Sequence, residues 1–164
     1  MEIRDATAED VPGMLAIYND VLTTSTAIYR DDPATLDAHH EWFAQRQAAG
    51  YPVLVAKDDH GVAGFASFGD FRPWPGYRFT VEHSVHVRAD CRGRGVGGAL
   101  MRPLIMRARD LGKHVIIAGV DAENLASQRF HERLGFERVA HFREVGFKFG
   151  RWLDLVFLQR RLDG

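Results

Sequence analysis

Arg92-Gly93-Arg94-Gly95-Val96-Gly97-Gly98 places four glycines and two arginines in seven residues. Glycines keep side chains off the backbone, so several N–H groups can converge on one spot. Ahead of it runs a β-branched, valine-rich stretch, Thr80 to Val87. Behind it, Leu100, Leu104, Ile105, Ala108 and Leu111 recur at helical spacing. The order is strand, glycine loop, helix. The loop therefore sits at the positive end of a helix dipole, a setting that suits a phosphate or pyrophosphate.

Working outward, Glu2 to Ala6 reads as a short strand. Thr7 opens a helix with Glu9 and Asp10 at its start and Pro12 in its first turn. Thr23 to Tyr29 reads as a loop, and Leu36 to Ala49 as a helix closed by Gly50. Strands are expected over Pro52–Lys57 and Val62–Phe71, joined by turn residues Asp58 to Gly61. Arg72 to Arg78 is broken by two prolines and a glycine. Beyond Gly112, which ends the glycine-loop helix, come a strand over His114–Val120 and a helix over Asn124–Leu134. Two more strands fill Glu137 to Arg161, turning around Val145 to Gly150. This predicts one domain over residues 1–164. Its fold class is α/β, or α+β by another label: a mixed, mostly antiparallel twisted sheet with helices on both faces.

The 164 residues are 46% hydrophobic and 26% charged, with a net charge of −1. No bulk field draws the chain to nucleic acid or to a membrane, so anion binding must come from local clusters. The single cysteine, Cys91, excludes an intrachain disulfide. No signal-peptide pattern opens the chain and no apolar run approaches about 18 residues. The expected setting is the cytoplasm.

Gly93, Gly95 and Gly98 also satisfy a dinucleotide-type GxGxxG, with Asp121 roughly twenty residues beyond. Against a nicotinamide cofactor stand the loop's place past the chain's midpoint and the few βα units that follow it. Arg92 and Arg94 suit a phosphate-rich ligand. A helix entry with no ligand at all is the third reading.

Arg92-Gly93-Arg94-Gly95-Val96-Gly97 resembles the Arg/Gln-x-x-Gly-x-Gly/Ala signature of GNAT acetyltransferases. Asn124, Ala126 and Ser127, followed by Leu134-Gly135-Phe136, resemble the family segment that lines the pantetheine arm of coenzyme A. Ile17-Tyr18-Asn19-Asp20, Thr80 to Val85, and Lys148-Phe149-Gly150-Arg151-Trp152-Leu153-Asp154-Leu155 are similar to the phosphinothricin and methionine sulfoximine or sulfone N-acetyltransferases. The likeness runs from about Ile3 to Leu162. It implies acetyl-CoA as donor, the α-amine of a small amino acid as acceptor, direct attack, no metal, and a homodimer.

Under that resemblance, N–H groups of Arg92, Gly93, Arg94, Gly95, Val96, Gly97 and Gly98 hold the pyrophosphate. The backbone of Val85, His86 and Val87 pairs with pantetheine as an added strand would, and one N–H there can face a developing oxyanion. Asn124 and Ser127 complete the donor site. Along Thr80 to Val87 the side chains alternate, so Thr80, Glu82, Ser84 and His86 share a face. A polar row on a strand covered on both sides implies a cavity. Glu82 is the preferred base for the amine. Its competing role is an ion pair with a nearby arginine, and His83 and His86 are the other bases. His131 stands where many family members carry a tyrosine. It donates a proton to the leaving sulfur, helps to position the amine, or is an ordinary surface histidine. Arg72, Pro73, Trp74 and Arg78, with Tyr77, are expected to hold the acceptor's oxyanions, or else are solvated loop charges. Lys148 and Phe149 are weaker substrate candidates.

Overall fold

The computed structural model describes residues 1–163. The elements in chain order are β1 (Glu2–Asp5), α1 (Val11–Thr24), α2 (Leu36–Ala48), β2 (Val53–Asp58), β3 (Gly61–Asp70), β4 (Thr80–Val87), α3 (Val96–Asp110), β5 (Val115–Asp121), α4 (Leu125–Arg133), β6 (Glu137–Lys148) and β7 (Arg151–Arg161). Short 3-10 turns precede α1, β4 and α3. The strands form a seven-stranded sheet in the order β1-β2-β3-β4-β5-β7-β6. Only β4 and β5 run parallel. A doubly wound dinucleotide fold needs a largely parallel sheet, so the nicotinamide reading of the glycine loop falls here.

Strand alternation explains the layers. Leu54 and Ala56 of β2 pack with α3 residues Leu100, Leu104 and Ala108, whereas Val53 and Val55 pack with Met14, Ile17 and Phe43 of α1 and α2. Each face of the sheet is thus covered by its own pair of helices, with Phe130 of α4 on the α3 side. None of the helices is long and apolar enough to cross a membrane.

Three boundaries differ from the sequence expectation. Thr23 and Thr24 stay helical because their hydroxyls bond back to carbonyls of Asn19 and Asp20 on the preceding turn. Ala8–Asp10 winds as 3-10 before α1 begins, with Thr7 extended as its cap and Asp10 accepting from the Thr7 N–H at 2.9 Å. Val145 to Lys148 belong to β6, and the reversal is confined to Phe149-Gly150, both at positive φ. A bulge between Phe142 and Gly146 bends β6 before that turn.

The decisive feature is a splay. β4 pairs with β5 only from Thr80↔Val115 to His83↔Ala118. Beyond His83 the two parallel strands part, leaving Ser84 to Val87 bonded on the β3 side alone.

Candidate active site

The splay opens into a cavity of about 630 Å³. Its floor is β4 from Glu82 to Val87 and β5 from Ala118 to Asp121. Asn124, the N-cap of α4, closes one side with Ser127 and His131 of α4 and with Arg92. Tyr18, His39, Trp42 and the segment Ser25 to Ala34 close the other. Val81, Val85 and Val87 pack toward the α3 layer, so Glu82, Ser84 and His86 face α1 and α2.

The glycine loop takes the form its composition suggests. Gly93 and Gly95 adopt φ of 75° and 80°, a region closed to most side chains. Gly95 is the N-cap of α3 and offers no capping side chain. The amides of Val96, Gly97 and Gly98 thus lie in the first turn, where no intrahelical carbonyl meets them. A Cβ at Gly97 would lie 3.2 Å from the Phe130 ring, so glycine is what lets α3 and α4 approach. Arg94 is exposed beside these amides, and Arg92 Nε donates to the Val87 carbonyl at 3.3 Å. The cradle of positive-φ glycines and free amides, beside an open strand edge, fits the diphosphate and amide-rich arm of coenzyme A.

Glu82 lies in the cavity without an ion-pair partner among the described residues, which removes the arginine-pair reading. Burial pushes its carboxyl above the ordinary value. Gly119 makes room for it: a Cβ there would meet Glu82 Oε2 at 3.2 Å. A glycine inside a strand signals close approach, and this one was readable in the sequence.

His131 is buried, which excludes the surface-histidine reading. Its Nδ1 lies 2.7 Å from the Ser127 carbonyl, and its Nε2 lies 3.0 Å from Nε2 of His83. A carbonyl only accepts, so His131 carries its proton on Nδ1. Burial depresses the basicity of His131. Burial, with His131 alongside, takes His83 down to about 3. Burial, then Arg92 and His39, takes His86 down to about 4. The Asn124 side chain caps α4, accepting from Ser127 N at 3.0 Å.

The Arg72–Arg78 loop is not brought to this cavity. Arg72 lies over the Tyr77 ring, 5.6 Å from its centroid. Arg78 lies over Phe79 and donates to the Pro75 carbonyl at 2.9 Å. Trp74 is 70% exposed, and Pro73 lies beside it. Two prolines hold this loop to its own contacts. Lys148, expected as a weak substrate contact, is instead buried, its ammonium donating to the carbonyls of Leu22, Ser25 and Ile28. It ties β6 to the segment that roofs the cavity. The roof residues Ser25, Ala27, Ile28, Arg30 and Ala34 carry no motif, and sequence reasoning passed over them.

Comparison with known proteins agrees with this geometry. The acetyltransferase (GNAT) family model matches residues 14–136. An L-methionine sulfoximine/L-methionine sulfone acetyltransferase of Pseudomonas paraeruginosa is 52% identical over 162 residues, covering 98% of this chain and 94% of that protein. A phosphinothricin N-acetyltransferase of Alcaligenes faecalis is 38% identical, covering 98% and 82%. The crystal structure of a GNAT superfamily phosphinothricin acetyltransferase from Sinorhizobium meliloti in complex with acetyl-CoA superposes with a TM-score of 0.94 at 36% identity, covering 98% and 87%. With the splayed parallel strands, the glycine cradle and a family match across most of its length, the chain belongs to the GNAT acetyltransferases.

Proposed function

We propose that this enzyme transfers acetyl from acetyl-CoA to the α-amine of a small amino acid or analogue of the methionine sulfoximine, methionine sulfone or phosphinothricin type. The observation that carries the reading is Glu82, a half-buried carboxylate with no ion-pair partner among the described residues, in the cavity that opens where β4 leaves β5.

Acetyl-CoA supplies the thioester carbonyl. Amides from Arg92 to Gly98 hold the diphosphate, the Val85–Val87 backbone aligns the pantetheine, and Asn124 and Ser127 flank it. Glu82 accepts a proton from the acceptor ammonium, directly or through water, because only the neutral amine has a lone pair to attack. A backbone N–H on the open edge of β4 faces the carbonyl oxygen as charge develops. Amide formation frees one proton from nitrogen, and C–S cleavage leaves a thiolate that takes one. With Nδ1–H given to Ser127 and Nε2 facing His83, neutral His131 has no proton for sulfur and no free nitrogen for the amine. We assign it to holding the His83 ring of β4 against α4.

We further propose that the enzyme acts in the cytoplasm as a homodimer. Phe147, Phe149 and Trp152 stand exposed on the β6–β7 hairpin, and an apolar cluster of this kind favours cover by a second copy. Sedimentation of the wild type against Trp152→Glu tests the assembly.

A panel of amino acids, polyamines, aminoglycosides and peptide N-termini, read by thiol release from acetyl-CoA, tests the reaction. Turnover confined to small amino acids supports it. Turnover of polyamines alone, or of nothing, overturns it.

A further inference from the structure

We infer that Arg102 of α3 binds the 3′-phosphate on the donor's adenosine, and that it makes the enzyme prefer coenzyme A to the 3′-dephospho form; the inference rests on the diphosphate's place in the glycine loop. Coenzyme A carries two kinds of phosphate on one ribose. The diphosphate hangs on the 5′ oxygen. The monoester on the 3′ oxygen bears close to two negative charges near neutral pH. A cradle of backbone amides accounts for the first group. The second needs a cation about the width of a ribose away.

Arg102 lies one helical turn beyond Gly98, and its side chain folds back along α3. A Cβ on Gly98 would lie 3.3 Å from Arg102 Nη1 and 3.7 Å from Nη2. Cα–Cβ bonds tilt toward the N-terminus of a helix, so the guanidinium rests on the first turn, whose amides face the diphosphate. Without an anion this is an unfavourable place for a cation, because the helix dipole is positive at that end. The first turn of α3 holds no acidic residue, and no carboxylate lies within 4.0 Å of Arg94 or Arg102 among the described residues. Both side chains are exposed. Other arginines nearby are held by acids: Arg92 has Asp20 at 3.9 Å, and Arg107, further along α3, has Asp5 at 2.7 Å. Two uncompensated guanidiniums thus flank the positive end of α3, Arg94 in the loop before the amides and Arg102 in the turn behind them. Two phosphate groups on one ribose match that spacing. The fork of Arg102 suits two oxygens of a monoester at once.

The test is calorimetry of coenzyme A and 3′-dephospho-coenzyme A on the wild type, Arg102→Gln, Arg102→Lys and Arg94→Gln. The wild type should bind coenzyme A about 5- to 30-fold more tightly than the dephospho form, the span of a charge-assisted hydrogen bond weakened by exposure. Arg102→Gln should remove most of that preference by weakening coenzyme A alone. The dephospho form should stay within about twofold, which also reports that fold and cradle are intact. Arg102→Lys should keep part of the preference, and Arg94→Gln should weaken both ligands alike. In turnover, Arg102→Gln should raise KM for acetyl-CoA with kcat unmoved, since a remote phosphate is bound equally in the ground and transition states. A wild type that binds both forms equally overturns the inference, and so does an Arg102→Gln variant that weakens both alike. Loss of the preference in Arg94→Gln overturns it too, by moving the 3′-phosphate to the loop. If Gly95→Val leaves coenzyme A binding unchanged, the loop reading itself fails, and this inference with it.

Discussion

Nε2 of His83 and Nε2 of His131 lie 3.0 Å apart, both side chains buried, with rings of Phe130 and Phe136 against them. Because His131 must keep its Nδ1 proton for the Ser127 carbonyl, the proton between the two Nε2 atoms belongs to His83. The pair is neutral and closed. A second proton would put a charge where, among the described residues, no carboxylate is bonded to either ring.

This arrangement makes the fold acid-sensitive above the usual carboxylate range. An unfolded histidine binds its proton near pH 6.5. In the fold His83 resists until about 3 and His86 until about 4, both chiefly through burial. Below pH 6.5 the unfolded chain therefore binds more protons, and stability falls by about 1.4 kcal/mol per pH unit for each such histidine. Urea unfolding midpoints should fall steadily from pH 6.5 to about 4, and less steeply in His86→Gln. A flat midpoint over that window would contradict the neutral assignment.

Glu82→Gln should lower kcat about 10²- to 10⁴-fold, the usual span for loss of a general base. Acetyl-CoA affinity should be unaffected, since the residue faces the other layer. The base works only when ionised, and burial raises the pH at which that happens. Activity in the wild type should rise with pH along a limb lying above the ordinary carboxylate range. Turnover near wild type in the glutamine variant would remove Glu82 from the reaction.

Gly95→Val isolates the backbone contribution of the loop. A Cβ at Gly95 meets nothing within 4 Å, so the substitution clashes with no neighbour. Its cost comes from φ of 80°, which a β-branched residue avoids. The chain should relax toward negative φ and turn the amides of α3 off their common target. Calorimetry should show coenzyme A binding weakened about tenfold or more, corresponding to at least about 1.4 kcal/mol. Equal affinity would place the diphosphate elsewhere.

Local chemistry was legible in the sequence; contacts between distant segments were not. Glycines at 93 and 95 imply positive φ whatever surrounds them, and alternation along β4 assigns Glu82 and His86 to one face without coordinates. The His83–His131 bond joins residues 48 apart and depends on how far β4 splays from β5. Arg72 and Arg78 read as oxyanion binders because loop arginines beside aromatics have that chemistry. Their actual partners, Tyr77, Phe79 and the Pro75 carbonyl, lie within the same loop. Arg30 lies in a segment without periodicity, and only the fold turns that segment over the cavity.

Lys148 reaches across more than a hundred residues of sequence to the carbonyls of Leu22, Ser25 and Ile28, at 2.5, 2.9 and 2.6 Å. The Leu22 carbonyl lies in the last turn of α1, and those of Ser25 and Ile28 belong to the segment that roofs the cavity. Methionine at this position keeps the apolar stem and removes all three donors. Each orphaned buried carbonyl costs about 1–3 kcal/mol, less wherever water can reach it. Lys148→Met should therefore destabilise the chain by about 2–4 kcal/mol. With the roof loosened, KM for the acceptor should rise while acetyl-CoA affinity, set on the far side of β4, stays within about twofold. A residue that touched substrate directly would show a different pair of effects: KM would rise with the melting temperature unmoved. Thermal unfolding and acceptor kinetics on the same preparation separate the two, because only a strut inside the fold moves both.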